Sequence, residues 1–160
     1  MPKRKPNALS VLVVDDVLDG LELLREYLTF RGFSVQVARD GAEAIDLARK
    51  VKPAIVLMDL SMPGIDGCQA ATILKNDPHT RRICVIAVTG RALQTERDAA
   101  IAAGCDGVIL KPFDITTLAD ALPHVLDNCA KALNVPGLAL PWTQQRSTRP
   151  RSAAHAVHGA

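Results

Sequence analysis

The sequence predicts an α/β protein in which five helices cover both faces of a doubly wound, five-stranded parallel sheet. Short apolar runs alternate with amphipathic segments over most of the chain. Several runs are apolar throughout, as in strands that helices bury on both faces. Four of them also lead directly into a polar residue. Strictly alternating strands and helices favour a parallel sheet between two helical layers.

Five apolar runs are the predicted strands, and they cover positions 9–14, 34–38, 54–58, 83–88 and 107–110. The first, third and fourth runs are continuously apolar, which predicts central strands. The second run, SVQVA, alternates between apolar and other residues. That alternation is typical of a strand with one exposed face, so we expect it at an edge of the sheet.

The predicted helices lie between and after these strands, at 17–31, 40–51, 66–76, 92–103 and 114 to about 132. In the first, Leu21, Leu24 and Leu28 recur at the spacing of one helical face. Gly32 follows this helix and is expected to end it in the left-handed conformation that glycine adopts at low cost.

Other helix boundaries also carry sequence signals. Asp40 is followed three residues later by Glu43, which is the pattern of an N-terminal capping box. Asp114 stands where the last helix needs an N-cap. Pro123 lies inside that helix and lacks the N–H that the helix needs, so we expect a bend near 120–122, with the helix continuing beyond it.

The chain is predicted to form one domain, residues 8–133, between two basic ends. Residues 1–7 are expected to be disordered, and residues 134–160, with three prolines and two glycines, a flexible tail. The ends hold six of the 19 basic residues and none of the 17 acidic residues, so the domain has 13 basic against 17 acidic residues. Basic residues without interleaved aromatics are weak evidence for nucleic-acid binding, and we expect no specific nucleic-acid partner.

Several classes of protein are disfavoured by composition. No apolar stretch approaches the roughly 20 residues of a membrane span. The basic N-terminus precedes too short an apolar run for a secretory signal, so we expect a cytoplasmic protein without a membrane partner. The four cysteines are widely spaced and form no C-x-x-C pair, and we expect free thiols, mostly buried as small apolar groups. They are Cys68, Cys84, Cys105 and Cys129.

Polar side chains at the strand ends are the strongest functional signal. Asp15 and Asp16 follow the first strand, Asp59 the third, Thr89 the fourth and Lys111 the fifth. In a doubly wound sheet the binding crevice lies outside the carboxyl ends of the strands. Each residue alone has an ordinary structural explanation, but their joint placement predicts one functional site.

Three carboxylates in one crevice need a cation. Within about 4 Å, each pair repels by roughly 4 kcal/mol at an effective dielectric constant near 20. Lys111 supplies a single positive charge, which is too little for three acids. Mg²⁺ prefers oxygen ligands and binds through one or two carboxylates while it keeps several waters. The crevice therefore predicts a Mg²⁺ site.

Four motifs resemble the receiver domains of bacterial two-component response regulators. They are VVDD after the first strand, MDLSMPGIDG, VTG and KPF, and the resemblance covers about residues 8–132. Stand-alone receivers of the chemotaxis and cell-cycle types are the most similar, since no output module follows. The resemblance implies a flavodoxin-like sheet of order 2-1-3-4-5. It also implies a signalling switch that catalyses only its own phosphotransfer and dephosphorylation, rather than an enzyme.

The resemblance assigns a role to each site residue. Asp59 would accept the phosphoryl group, and Asp16, Asp59 and the backbone carbonyl of Ser61 would bind Mg²⁺. Asp15 would hold metal-bound water. Lys111 would pair with Asp59 and later with the phosphoryl oxygens.

The switch residues are inferred in the same way. Thr89 would turn inward to bond the phosphoryl group, and the loop 89–94 would move with it. Pro112 resembles the family's cis proline. Val108 stands where most relatives have an aromatic ring that follows the threonine, so here the usual aromatic readout is expected to change. Arg91 either overhangs the site and tunes hydrolysis or is simply a solvated loop residue.

The implied partners are a histidine kinase or histidine phosphotransfer protein, and a downstream protein that binds the face formed by residues 92–132. That face is also a candidate for phosphorylation-dependent homodimerisation. Two alternatives stay open: an interaction module that is never phosphorylated, and an Asp-nucleophile phosphatase. The phosphatase pattern D-x-D fits poorly, because Ser61 replaces its second acid. No G-x-G-x-x-G motif supports dinucleotide binding.

Overall fold

A computed structural model describes residues 8–130 apart from residue 92. Strands and helices alternate without exception over this range, which confirms the predicted fold class. The elements are β1 (Ser10–Val14), α1 (Leu18–Phe30), β2 (Ser34–Ala38), α2 (Gly41–Val51), β3 (Ile55–Asp59), α3 (Gly67–Asn76), β4 (Cys84–Thr89), α4 (Gln94–Ala102), β5 (Gly107–Leu110) and α5 (Ile115–Ala130).

The five strands form one parallel sheet in the order β2-β1-β3-β4-β5. Order and direction both match the expectation. The alternating strand β2 lies at an edge, as its pattern predicts. Strand order reverses beside β1, because α1 and β2 lead to one side of it and β3 lies on the other. Val14 is paired with Met58, so β1 and β3 end side by side.

The core is aliphatic and lies on both faces of the sheet. Every residue of β3 and β4 is buried, which explains why these runs contain almost no polar residues. On α1 the three leucines at helical spacing, Leu21, Leu24 and Leu28, are buried against the sheet. Burying a leucine side chain contributes about 1.5–3 kcal/mol, so this stripe fixes the helix and the loop before it.

The predicted helix ends are observed, with one difference in detail. Gly32 has φ +96° and ends α1 in the left-handed region. The Asp40 carboxylate accepts a hydrogen bond of 2.8 Å from the Glu43 N–H. The Glu43 carboxylate returns to the N–H of Arg39 instead of that of Asp40, so the capping box is only half formed. Asp114 caps α5 through the Thr117 N–H at 2.9 Å.

The proline in the last helix does not break it. α5 runs continuously through Pro123, which is exposed. The helix continues beyond Pro123, as expected, and the bend near 120–122 stays a prediction. A proline removes only one hydrogen bond from the helix, and burial of Leu122 and Val125 on either side holds the segment against the core.

The expectation of four free thiols is wrong for one pair. Cys84 at the start of β4 and Cys129 near the end of α5 form a disulfide, with Cα atoms 5.9 Å apart. A separation of 45 residues concealed this proximity, which only the packing of α5 beside β4 creates. Cys68 and Cys105 form no disulfide, and Cys105 is buried as expected.

Predictions for residues 1–7, for residues 134–160 and for the domain end at 133 lie outside the described residues. Among the described helices, none has the length and hydropathy that crossing a bilayer requires.

Candidate functional site

The sheet brings the five site residues that were predicted at strand ends to one edge. Asp15 and Asp16 follow the last residue of β1, and Asp59 is the last residue of β3. Thr89 ends β4, and Lys111 follows β5 directly. Since β1, β3 and β4 are adjacent and parallel, their carboxyl ends form one crevice beside the point where strand order reverses.

The three acids form a tight cluster. One carboxylate oxygen from each of Asp15, Asp16 and Asp59 lies within 4.8 Å of the other two. Their exposure differs: Asp59 is buried, with 6% of its surface accessible, whereas Asp15 is half-buried and Asp16 is exposed. The cluster is therefore buried on the side of Asp59 and open to solvent on the side of Asp16.

Lys111 is the cation that contacts this cluster. Its Nζ lies 3.1 Å from Asp15 Oδ2 and 3.5 Å from Asp59 Oδ2. Burial works to lower the pKa of Lys111, but the hydrogen bonds and charges of the two acids outweigh it and raise that pKa. The lysine is consequently held as a cation between two carboxylates.

Burial raises the pKa of Asp59 above the usual aspartate value. The Ser61 N–H and the Lys111 charge oppose this effect, while Asp15 reinforces it. When a further cation approaches such a carboxylate, ionisation becomes less costly, because the cation stabilises the charged form. Positive charge near Asp59 would therefore favour its ionised form.

The loop between β3 and α3 orients Asp59. The Ser61 N–H donates to Asp59 Oδ1 at 2.9 Å, so one carboxylate oxygen faces the loop and the other faces Lys111. The first residue of α3, Gly67, packs against the strand end: a Cβ built there would lie 2.2 Å from the Asp59 carbonyl oxygen. Only glycine permits this close approach.

On the opposite side, the backbone fixes Asp15. Its Oδ1 accepts a 2.9 Å hydrogen bond from the Val17 N–H, and its own N–H donates to the Ala38 carbonyl oxygen. Oδ2 is the oxygen that contacts Lys111. Each oxygen of Asp15 therefore has a separate partner, and the carboxylate enters the crevice in a set orientation.

Thr89 is buried and bonds away from the acids. Its hydroxyl donates to Glu96 Oε2 at 2.8 Å and accepts from the Arg91 N–H at 3.1 Å. The Arg91 guanidinium lies 3.5 Å from Glu96 Oε1, so this exposed arginine pairs with an acid of α4. Sequence reasoning missed Glu96, because an acid in the first turn of a helix is common and seven residues separate it from Thr89.

Two further expectations concern the last strand and the loop after it. The peptide bond between Lys111 and Pro112 is cis, as the resemblance implied. Val108 is buried in β5 with 2% of its surface accessible, opposite Ala87 of β4. The position that carries an aromatic ring in most relatives therefore holds a buried aliphatic side chain here.

The donor set fits a magnesium ion. Three carboxylates supply hard oxygen ligands within a span that one ion can bridge, and a single lysine leaves them short of positive charge. Asp16 and Asp59 would hold the ion, together with the Ser61 carbonyl, and Asp15 would hold its water.

Comparison with known proteins identifies the class. The family model of the response regulator receiver domain matches residues 11–123. The chain therefore belongs to the response regulator receiver family of two-component signalling. Receiver domains are signalling switches that act with histidine kinases or phosphotransfer proteins and with downstream targets, and the family binds Mg²⁺ in its active site.

Individual relatives are stand-alone receivers and receiver domains of larger proteins. The chain is 32% identical over 117 residues to the polar-differentiation response regulator DivK of Brucella anthropi, an alignment covering 73% of this chain and 95% of that protein. The Vibrio cholerae chemotaxis protein CheY4 is 25% identical with a TM-score of 0.70, over 74% of this chain and 98% of that one.

A third relative carries the metal. The receiver domain of the sensor histidine kinase PA1611 from Pseudomonas aeruginosa has a magnesium ion coordinated in its active site cleft. It is 28% identical to this chain, with a TM-score of 0.69, over 75% of this chain and 98% of that one.

Proposed function

We propose that this protein is a stand-alone receiver that accepts a phosphoryl group on Asp59, in a Mg²⁺-dependent reaction, from a histidine kinase or a histidine phosphotransfer protein. The phosphorylated form then binds a downstream protein through α4, β5 and α5. The observation that carries the proposal is the cluster of Asp15, Asp16 and Asp59 at the ends of neighbouring strands, with Lys111 as its cation.

Asp59 is suited to act as the nucleophile. Its carboxylate is attached to a rigid buried strand and held by the Ser61 N–H, so its orientation needs little further ordering. An oxygen of Asp59 forms the new bond to phosphorus while the bond from phosphorus to the donor's imidazole nitrogen breaks. Lys111 stabilises the charge on the phosphoryl oxygens. Bound Mg²⁺ would supply the remaining charge neutralisation.

The proposed switch begins at Thr89. Phosphorylation adds about −1.5 to −2 charges and several acceptor oxygens beside the end of β4. The Thr89 hydroxyl would leave Glu96 and donate to the phosphoryl group, and the loop that joins β4 to α4 would shift with it. Val108 has no ring to follow, so the loop and α4 carry the change.

The proposal is tested by phosphotransfer. A labelled histidine kinase or phosphotransfer protein of the same organism is mixed with the full chain, with Mg²⁺ or with a chelator. Label should pass to the protein only with Mg²⁺, and peptide mapping after reductive trapping should locate it at Asp59. Asp59→Asn should receive none, whereas Asp46→Asn, an exposed acid of α2, should be labelled like the parent protein.

Two results would contradict the proposal. Binding of a partner by the Asp59→Asn variant as tightly as by the phosphorylated parent would favour an interaction module that needs no phosphate. Sustained release of phosphate from small phosphomonoesters, dependent on Asp59, would favour a phosphatase.

A further inference from the structure

A second cluster of reactive side chains lies at the other end of the sheet. Cys84 is the first residue of β4, so it lies at the opposite end of that strand from Thr89. Cys129 belongs to the last turn of α5. With the Asp106 carboxylate, which precedes β5, their ligand atoms all lie within 4.8 Å of one another. None of these residues has a part in the proposed phosphotransfer.

We propose that Cys84 and Cys129 are a reversible thiol–disulfide pair, oxidised by a low-molecular-weight disulfide, that fastens the end of α5 to the sheet. The two Cα atoms are 5.9 Å apart, which is within the usual span of a disulfide, and the link is formed in this structure. The pair is therefore positioned for exchange without movement of the backbone.

The alternative use of such a cluster is a metal site, and the surroundings disfavour it. Asp106 Oδ2 already accepts from Lys75 Nζ at 2.6 Å and from the Val85 N–H at 2.9 Å. Lys75 also places a positive charge beside the cluster, and that charge would repel a metal ion. Because the carboxylate is already hydrogen-bonded, the two cysteines are better suited to form a disulfide than to bind a metal ion.

Unequal exposure sets the order of the steps. Cys84 has 1% of its surface accessible, whereas Cys129 is only partly buried. The Cys129 thiolate attacks one sulfur of the small disulfide, which forms a mixed disulfide and releases one thiolate. The Cys84 thiolate then attacks the Cys129 sulfur and releases the second. Two electrons pass from the protein to the reagent, and the protons of the two cysteines pass to the released thiolates.

The link matters most for the last turn of α5. Leu118, Leu122 and Val125 are buried, so they hold the earlier turns of α5 whether or not the disulfide is present. Beyond Val125, the described side chains are partly buried or exposed, which leaves the final turn with little apolar anchorage. Oxidation is therefore expected to suppress fraying there while the fold persists in both states.

The pair also bears on signalling, because α5 belongs to the surface proposed to bind the downstream protein. That consequence rests on the proposed function. The chemistry of the pair does not, and its test needs neither Mg²⁺ nor phosphate.

The test counts thiols in the full chain before and after exposure to oxidised glutathione. Reduced protein should expose four alkylatable thiols on denaturation, and oxidised protein should expose two and yield a peptide that joins Cys84 to Cys129. Amide exchange in residues 126–130 should slow about tenfold on oxidation and recover with dithiothreitol.

Variants separate the steps. Cys84→Ser should accumulate a glutathione adduct on Cys129, since the second thiol is missing. Cys129→Ser should keep its other three thiols alkylatable. Cys68→Ser should form the link like the parent. A link between other cysteines, four free thiols after oxidation, unchanged amide exchange, or zinc bound by the reduced parent but not by Cys129→Ser would each overturn the proposal.

Discussion

At the scale of single residues, the site depends on how burial and charge act on Asp59. Burial raises its pKa, and Lys111 compensates only in part. Ionised Asp59 is therefore destabilising until more positive charge arrives. Thr89 is restrained by a hydrogen bond instead. Its hydroxyl donates to Glu96 and is unavailable to a phosphoryl group until that bond breaks.

Replacing Asp59 by Asn should stabilise the metal-free protein at neutral pH. Because the folded pKa is raised, the folded state binds more protons than the unfolded state between the ordinary value of 3.8 and the raised value. The stability of the parent protein therefore falls as pH rises through this window, and the variant escapes that loss. Urea unfolding in chelator should show the gain at neutral pH and its disappearance below pH 3.8. An equal gain at both pH values would contradict this explanation.

Replacing Glu96 by Ala should strengthen the response to a phosphate analogue. A hydrogen bond to a charged acceptor contributes about 1.5 kcal/mol, so releasing Thr89 should raise beryllofluoride affinity by up to about tenfold. Titration followed by NMR measures this affinity. Asp98→Ala is the control, since Asp98 lies on the same helix but accepts from Gln94. Unchanged or weaker affinity would show that Glu96 does not restrain Thr89.

At the scale of elements, the position of α3 controls the site. Gly67 lets the start of this helix contact the end of β3, and the capping box between Asp66 and Gln69 fixes its first turn. The box was not predicted, although Asp66 and Gln69 have the required spacing. The helix therefore begins at a fixed place beside Asp59.

Alanine at Gly67 should destabilise the protein, whereas alanine at Gly20 should stabilise it. A Cβ at Gly67 would lie 2.2 Å from a backbone oxygen, so the helix or strand must shift, at a cost of about 2–4 kcal/mol. At Gly20, inside α1, a Cβ meets nothing within 4 Å, and alanine should gain about 0.5–1 kcal/mol. Denaturant unfolding measures both. Equal effects at the two positions would refute the packing argument.

Most of the fold could be predicted from the sequence, because the relevant signals are local. For the apolar runs, Gly32 and Asp114, a few neighbouring residues are enough to indicate the local structure. The disulfide and the contact from Thr89 to Glu96 could not be predicted, since packing alone brings those partners together. α5 continues beyond Pro123, as expected, because burial of Leu122 and Val125 offsets the local preference of the proline.

At the scale of the whole molecule, the sheet brings three negatively charged side chains together, and a bound cation would balance their charge. A bound ion stabilises the folded state, because the unfolded chain does not hold the three acids together. In the proposed mechanism the same ion would also prepare the site for the phosphoryl group. Stability and activation would then be linked through one crevice.

Magnesium should raise the free energy of unfolding by about 1.4 kcal/mol at ten times its dissociation constant. Asp16→Asn should lose most of this gain, because exposed Asp16 supplies a ligand without supporting the core. Asp19→Asn, an acid in the first turn of α1, is the control and should keep it. Equal stabilisation of all three proteins would place the ion elsewhere.

The most direct test of the central claim is an NMR titration of the full chain with beryllofluoride. In the presence of Mg²⁺, the amides of Asp59, Thr89 and Lys111 should shift and reach saturation. Without Mg²⁺, or in Asp59→Asn, they should not move. Saturable shifts that persist in Asp59→Asn would contradict the claim that this carboxylate, held in a magnesium site at the strand ends, is the acceptor.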